Sequence, residues 1–158
     1  MRLSLLWEKL NNKCGSNLKP LTTYEVTNLD RIKVIGITGS YGKSTTAYLL
    51  HKYMEKLNIT HQIYCSIKDG SNKKNINKNI SVDIPLKNEN KILDILEELR
   101  EYPVEYLILE ISERTIDNQI IDDIDFELKV LTNILTKHNK LEYDEETYVN
   151  LKLSFLKN

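Results

Sequence analysis

Cysteine, proline and glycine are all scarce in this chain of 158 residues, with 2, 3 and 5 copies respectively. Cys14 and Cys65 form no C-x-x-C pair and are too few for a disulfide framework, so a reducing, cytoplasmic setting is expected and neither reads as a metal ligand. No run of about 18 apolar residues occurs, which leaves no candidate membrane-crossing helix. Met1–Leu10 is too short and too charged, through Glu8 and Lys9, for a signal peptide. Net charge is nearly absent too: 22 Lys+Arg against 23 Asp+Glu give −1, which excludes a general electrostatic role on nucleic acid or membrane surfaces. Disorder is excluded by an apolar share of 41%. The single alanine, Ala47, and the abundance of Ile, Lys and Asn reflect an A+T-rich coding bias rather than a function.

What is present is an alternation of strands and helices. Leu3, Leu6, Trp7 and Leu10 share one helical face and read as a packing helix, with a membrane-surface anchor as the alternative. A connector punctuated by Gly15 and Pro20 follows, so residues 1–30 are taken as an N-terminal helix and connector and residues 31–158 as one domain. Arg31–Thr38 is nearly continuous in apolar residues and reads as a buried parallel strand. Lys43 to Leu57 has helical spacing, Gln62–Ser66 is a short strand, and Lys68–Asn79 is a polar, solvated loop. A helix is expected over Glu89–Glu101 and a strand over Glu105–Ser112. Beyond a loop or short helix through Thr115–Ile124 come a strand at Leu128–Asn133 and a helix at Glu145–Leu156. The fold class that follows is α/β, P-loop NTPase-like, with a mainly parallel sheet flanked by helices.

Three of the five glycines, Gly36, Gly39 and Gly42, fall where the first strand gives way to the helix that begins Lys43-Ser44-Thr45. Such a turn aims successive backbone N–H groups at one anion, and the helix N-terminus adds partial positive charge. Thr38, Gly39, Ser40, Tyr41, Gly42, Lys43, Ser44 and Thr45 are therefore the expected ATP phosphate cradle, with Lys43 reaching the phosphates and Ser44 ligating Mg²⁺. The strict pattern places another glycine five positions before Gly42, and Ile37 stands there. The alternative is a glycine-rich turn with an incidental Gly-Lys-Ser.

Glu110 ends an apolar strand on the same expected edge, where an acid holds Mg²⁺ or its water; the alternative is a carboxylate that faces solvent. Thr132-Asn133 end the next strand and His138 follows, either as a structural histidine or as a second metal ligand.

These spacings resemble the central ATP-binding domain of the Mur ligases. The family's T-G-T-x-G-K-T/S-T loop is matched by Thr38–Thr45 with Ser40 in place of threonine, its strand-ending E-x-S by Glu110-Ile-Ser112, and its T-N-[LI]-x-x-D-H by Thr132–His138 except at Lys137. Its Y-x-x-x-K is matched by Tyr148–Lys152. The resemblance implies ATP-dependent joining of a carboxylate and an amine through an acyl phosphate, with Mg²⁺ bound at Ser44, Glu110 and His138 and nucleotide contacts from Asn133. In several members the lysine matching Lys152 is carbamylated; the alternative is a solvated helix lysine, and Tyr148 reads as a packing residue.

Departures carry expectations of their own. Lys137 replaces the family's aspartate, a cation that would weaken Mg²⁺ binding if its amine points inward. The family's T-T-P segment has only Ser81-Val-Asp-Ile-Pro85 as counterpart, which argues against a UDP-muramyl substrate. The phosphate loop begins within about forty residues of Met1, leaving no room for the family's UDP-binding domain, and only six residues follow Lys152. This layout points to a MurT-type amidating subunit or to poly-γ-glutamate and cyanophycin ligases. The competing readings are an incomplete nucleotide-binding module whose C-terminal ligase domain comes from a partner chain, and a small P-loop kinase or dethiobiotin-synthetase-like enzyme.

Overall fold

The computed structural model describes residues 1–66, 80–81, 89–102, 104–136 and 143–157. The expected loop Lys68–Asn79, the Lys137 and His138 pair, and Val82–Pro85 lie outside the described residues. Among the described residues eleven elements follow in chain order: α1 (Leu3–Cys14), α2 (Thr23–Arg31), β1 (Lys33–Thr38), α3 (Lys43–Lys56), β2 (His61–Tyr64), β3 (Ile80–Ser81), α4 (Glu89–Glu101), β4 (Tyr106–Glu110), α5 (Glu113–Asp117), β5 (Phe126–Leu131) and α6 (Glu145–Lys157).

The stretch expected as a connector holds a helix of its own. Thr22 caps α2 by accepting from the Glu25 N–H while the Glu25 carboxylate accepts from the Thr22 N–H, a reciprocal box that starts a nine-residue helix despite its polar composition. Arg100 of α4 then fixes it, donating to Glu25 at 2.8 Å, to Glu97 at 2.9 Å and to the Lys19 carbonyl at 3.2 Å. The guanidinium lies 5.3 Å from the Trp7 ring, whose indole N–H donates to Glu97. One arginine thus joins α1, α2 and α4.

The five strands are all parallel, in the order β3-β2-β4-β1-β5. Continuous Ile, Val and Leu in β1 and β4 suit strands covered on both faces. One face of the sheet, through Val34, Tyr64, Leu107 and Leu109, packs on the layer of α1, α2 and α4, with Leu6, Leu29, Leu96 and Leu99 buried between them. The other face, through Ile35, Ile37, Ile63 and Ile108, packs on Ala47 and Met54 of α3. Each such aliphatic side chain contributes roughly 1.5–3 kcal/mol by leaving water. Gly36 lets Phe155 of α6 and Phe126 reach β1, since a Cβ there would stand 2.6 Å and 2.7 Å from their rings.

β5 spans Phe126–Leu131, about two residues earlier than its apolar pattern suggests. It lies at the edge of the sheet with half-exposed side chains, so burial does not mark its limits. The register aligns Ile37 with Glu110 and Thr38 with Leu131. The carboxyl ends of β1, β4 and β5 therefore come out side by side.

Candidate functional site

Gly39 and Gly42 have φ of 144° and 78°, both in the region that favours glycine. A Cβ on Gly39 would stand 2.0 Å from Thr132 Oγ1, so only glycine fits against the end of β5. The first intrahelical bond of α3 runs from the Thr46 N–H to the Gly42 carbonyl at 2.8 Å, and no side chain caps the helix. The N–H groups of Lys43, Ser44 and Thr45 stand ahead of that bond, at the positive end of a fourteen-residue helix. Lys43 folds back so that Nζ donates to the Gly39 carbonyl at 2.9 Å, across the mouth of the loop.

Beside it lies a hard-oxygen cluster. Glu110 is buried, and its Oε2 accepts from the Ser44 hydroxyl at 2.7 Å, the Ser66 hydroxyl at 3.0 Å and the Ser66 N–H at 2.9 Å. The two serine hydroxyls are 2.6 Å apart. Glu110 therefore turns toward the loop rather than toward solvent.

Thr132 and Asn133 clamp the loop from β5. Asn133 accepts from the Tyr41 N–H at 3.0 Å and donates to the Tyr41 carbonyl at 3.1 Å, and its own carbonyl accepts from the Ser40 N–H at 3.0 Å. Thr132 donates to the Tyr41 carbonyl at 2.6 Å. Ser40 Oγ accepts from the Leu135 N–H and from the Tyr148 hydroxyl, each at 2.8 Å. Burial pushes the Tyr148 phenol up, keeping it a neutral donor. Ser40 and Asn133 thus spend their side chains on the loop's framework, while the Tyr41 side chain is exposed.

Beneath the loop, Lys152 of α6 is fully buried, which rules out a solvated helix lysine. Its Nζ donates to Glu113 Oε2 at 2.9 Å and to Thr38 Oγ1 at 3.2 Å. The Thr38 hydroxyl in turn donates to the Ile111 carbonyl at 2.9 Å. Burial lowers the Lys152 pKa, against the opposing pull of Glu113. Burial also disfavours the Glu113 carboxylate, but its own N–H, Lys152 and Lys43 together hold it below the usual glutamate range.

The structure thus brings Thr38–Thr45, Glu110, Asn133 and Lys152 to one sheet edge, while His138 lies outside the described residues. Two participants were not singled out from the sequence. Ser66 carries no motif and shows itself only as the polar residue that ends the β2 run. Glu113 reads as an ordinary first-turn acid, because its partner is 39 residues away.

The donor chemistry suits a phosphate ester with Mg²⁺. The Ser40 and Tyr41 N–H groups, expected in the cradle, are taken by Asn133, so the N–H groups of Lys43, Ser44 and Thr45 at the start of α3 are the ones offered to an oxyanion, and a serine hydroxyl beside one buried carboxylate is the sparse oxygen set that Mg²⁺ accepts when phosphate and water complete its shell.

Comparison with known proteins agrees with this geometry. The family model described as Mur ligase middle domain matches residues 37–158. The UDP-N-acetylmuramoyl-L-alanyl-D-glutamate–2,6-diaminopimelate ligase of Helicobacter pylori (strain J99) is 35% identical over 127 residues, covering 80% of this chain and 28% of that protein. The enzyme of the same name from Buchnera aphidicola subsp. Baizongia pistaciae is 29% identical over 148 residues, covering 93% of this chain and 27% of its own length. The Helicobacter hepaticus enzyme of that name is 30% identical over 125 residues, covering 77% of this chain and 26% of its own length. The chain therefore spans little more than a quarter of these relatives. From the glycine cradle to Lys152, the chain belongs to the Mur ligase middle-domain family.

Proposed function

We propose that this chain is the ATP-binding domain of a ligase that joins a carboxylate to an amine as an amide, in peptidoglycan synthesis. The observation that carries the reading is the pairing of an uncapped, glycine-shaped helix N-terminus with the Ser44–Glu110 contact of 2.7 Å on the neighbouring strand end. A phosphate binder needs the first; a phosphoryl-transferring site needs both.

In this reading the N–H groups of Gly42 to Thr45 orient the β- and γ-phosphates of ATP, and Lys43 leaves the Gly39 carbonyl to follow the charge of the transferring group. Ser44 and Glu110 would hold Mg²⁺, and His138 would be a further ligand at a second metal. When bound, Mg²⁺ would neutralise charge on the phosphoryl oxygens. The substrate carboxylate takes the γ-phosphoryl group, giving ADP and an acyl phosphate; the amine then displaces phosphate to form the amide. Asn133 and Thr132 keep Tyr41 and Ser40 from drifting, so the N–H groups are preorganised before ATP arrives. Among the described residues no helix is long and apolar enough to cross a membrane, in keeping with a cytoplasmic reaction that draws on ATP.

The names of the relatives make UDP-N-acetylmuramoyl-L-alanyl-D-glutamate and 2,6-diaminopimelate the first pair to assay, in place of the amidation reading. ADP release that requires both substrates is the expected result. ADP release indifferent to either substrate would refute the ligase reading. A second reading, favoured by the quarter-length match, is a nucleotide-binding module that turns over only with further ligase segments or a partner chain. It predicts Mg-ATP binding without turnover until those segments are added.

A further inference from the structure

Two buried histidines meet between α3 and β2, away from the phosphate site. His51 and His61 are each 1% exposed, and His51 Nδ1 lies 2.7 Å from His61 Nε2. The Ile59 carbonyl can only accept, so His61 Nδ1, 2.7 Å from it, carries hydrogen. Neutral His61 therefore offers Nε2 as an acceptor, and the His51 Nδ1–H donates to it. One added proton fits on His51 Nε2, 3.5 Å from the Glu55 carboxylate. A second has no place, because it would set two N–H groups head to head and two like charges in one buried contact. The rings thus titrate as a pair.

The surroundings hold one counter-charge close by. The Lys52 hydrogen bond, helped by the charge of His51 and His61, keeps Glu55 below the usual glutamate range. Lys52 also lies over Tyr48, whose ring centre is 5.8 Å from that of His51. From the sheet, Tyr106 of β4 stands in register with His61, Lys33 of β1 lies over the Tyr106 ring, and Glu105 gives its N–H to the Thr60 carbonyl. α3 carries Ser44 and β2 leads into Ser66, and both serines bind Glu110.

We propose that the His51–His61 contact is an acid-sensitive clasp between α3 and β2: it holds with one added proton or none, opens when both rings are charged, and then releases the alignment of Ser44 and Ser66 on Glu110. The clasp belongs to the fold; its effect on nucleotide rests on the ATP-binding reading. Below about pH 6.5 the unfolded chain takes a proton on each ring and the folded pair takes one, so the contribution to stability falls as pH falls.

Imidazole 15N spectra of the wild-type chain near neutral pH should show His61 protonated at Nδ1 and bare at Nε2, with a scalar coupling across the bond to His51. In urea titrations the wild-type folding constant should drop about tenfold per pH unit below about pH 6.5, and His61→Gln, which keeps an acceptor at the Nε2 position and leaves one titrating ring in both states, should remove that slope. Acidification over the same range should weaken Mg-ATP binding about fivefold more in wild type than in His61→Gln, ATP's own titration being common to both. Two fully protonated rings in the folded wild type, or equal slopes in the two proteins, would overturn the clasp. An equal loss of Mg-ATP affinity would overturn its link to the site. Should wild type bind no ATP at any pH, the proposed function falls, while the imidazole spectra, which need no variant, still decide the clasp.

Discussion

Among the described residues, two ion pairs built on an enclosed cation, Arg100–Glu25 and Lys152–Glu113, differ in what they do for the fold. In the helical layer, Arg100 and Glu25 are both mostly buried and both saturated by protein groups: Glu25 also accepts from Thr22, and Arg100 also reaches Glu97 and the Lys19 carbonyl. Arg100, with Thr22, holds the Glu25 carboxyl down at about 2, far below its ordinary 4.5. At the phosphate loop, Lys152 is wholly sealed, its partner Glu113 is one-third exposed, and burial drives the lysine's pKa down rather than up. The first pair ties α2 to α4. The second places a charge where desolvation opposes it, an arrangement that persists where a site uses the charge.

This contrast can be broken at several points. The largest effect belongs to the site alone: Lys43→Ala should weaken Mg-ATP binding at least a hundredfold, about 3 kcal/mol, with urea unfolding unchanged. Loss of stability there would mean that Lys43, whose amine donates to the Gly39 carbonyl, is structural. Next, Arg100→Met should cost about 2 kcal/mol in urea unfolding, because it strands Glu25 and Glu97 against Trp7, and should spare ATP binding.

Acid should sharpen the difference further. Since the folded pKa of Glu25 lies below the unfolded one, its contribution is complete above about pH 4.5 and is lost as pH falls toward 2. Glu25→Gln should flatten the stability profile in that window by about 1 kcal/mol, after allowance for solvent screening. Smallest of all, Lys152→Met should change stability by less than about 1 kcal/mol, because the methionine fills the sealed slot and Glu113 turns to water. A loss as large as that of Arg100→Met would erase the distinction between the pairs.

The parts of the fold that could be read from the sequence are those whose local and long-range signals agree. β1, the glycine loop and α3 combine an apolar run, positive-φ glycines and helical spacing, and α4 emerges with its expected limits of Glu89 and Glu101. Glu110 and Asn133 were legible because parallel strands end on one edge. α2 was not, because its polar sequence buries only Leu29 and its start depends on the Thr22–Glu25 box, a signal present but shadowed by the connector before it. Lys152 could be found through its spacing from Tyr148, yet its burial could not, since sealing it requires α6 to pack against β5 and α5. Glu113 was invisible for the same reason: its role exists only once Lys152 stands beside it.

The central claim is that the edge formed by Gly39–Ser44 and Glu110 binds the phosphates of a nucleotide with Mg²⁺. Calorimetric titration of the 158-residue chain with ATP, with and without Mg²⁺, tests it most directly. Saturable binding that strengthens with Mg²⁺ and disappears in Lys43→Ala is the predicted result; no heat of binding at millimolar Mg-ATP would contradict it.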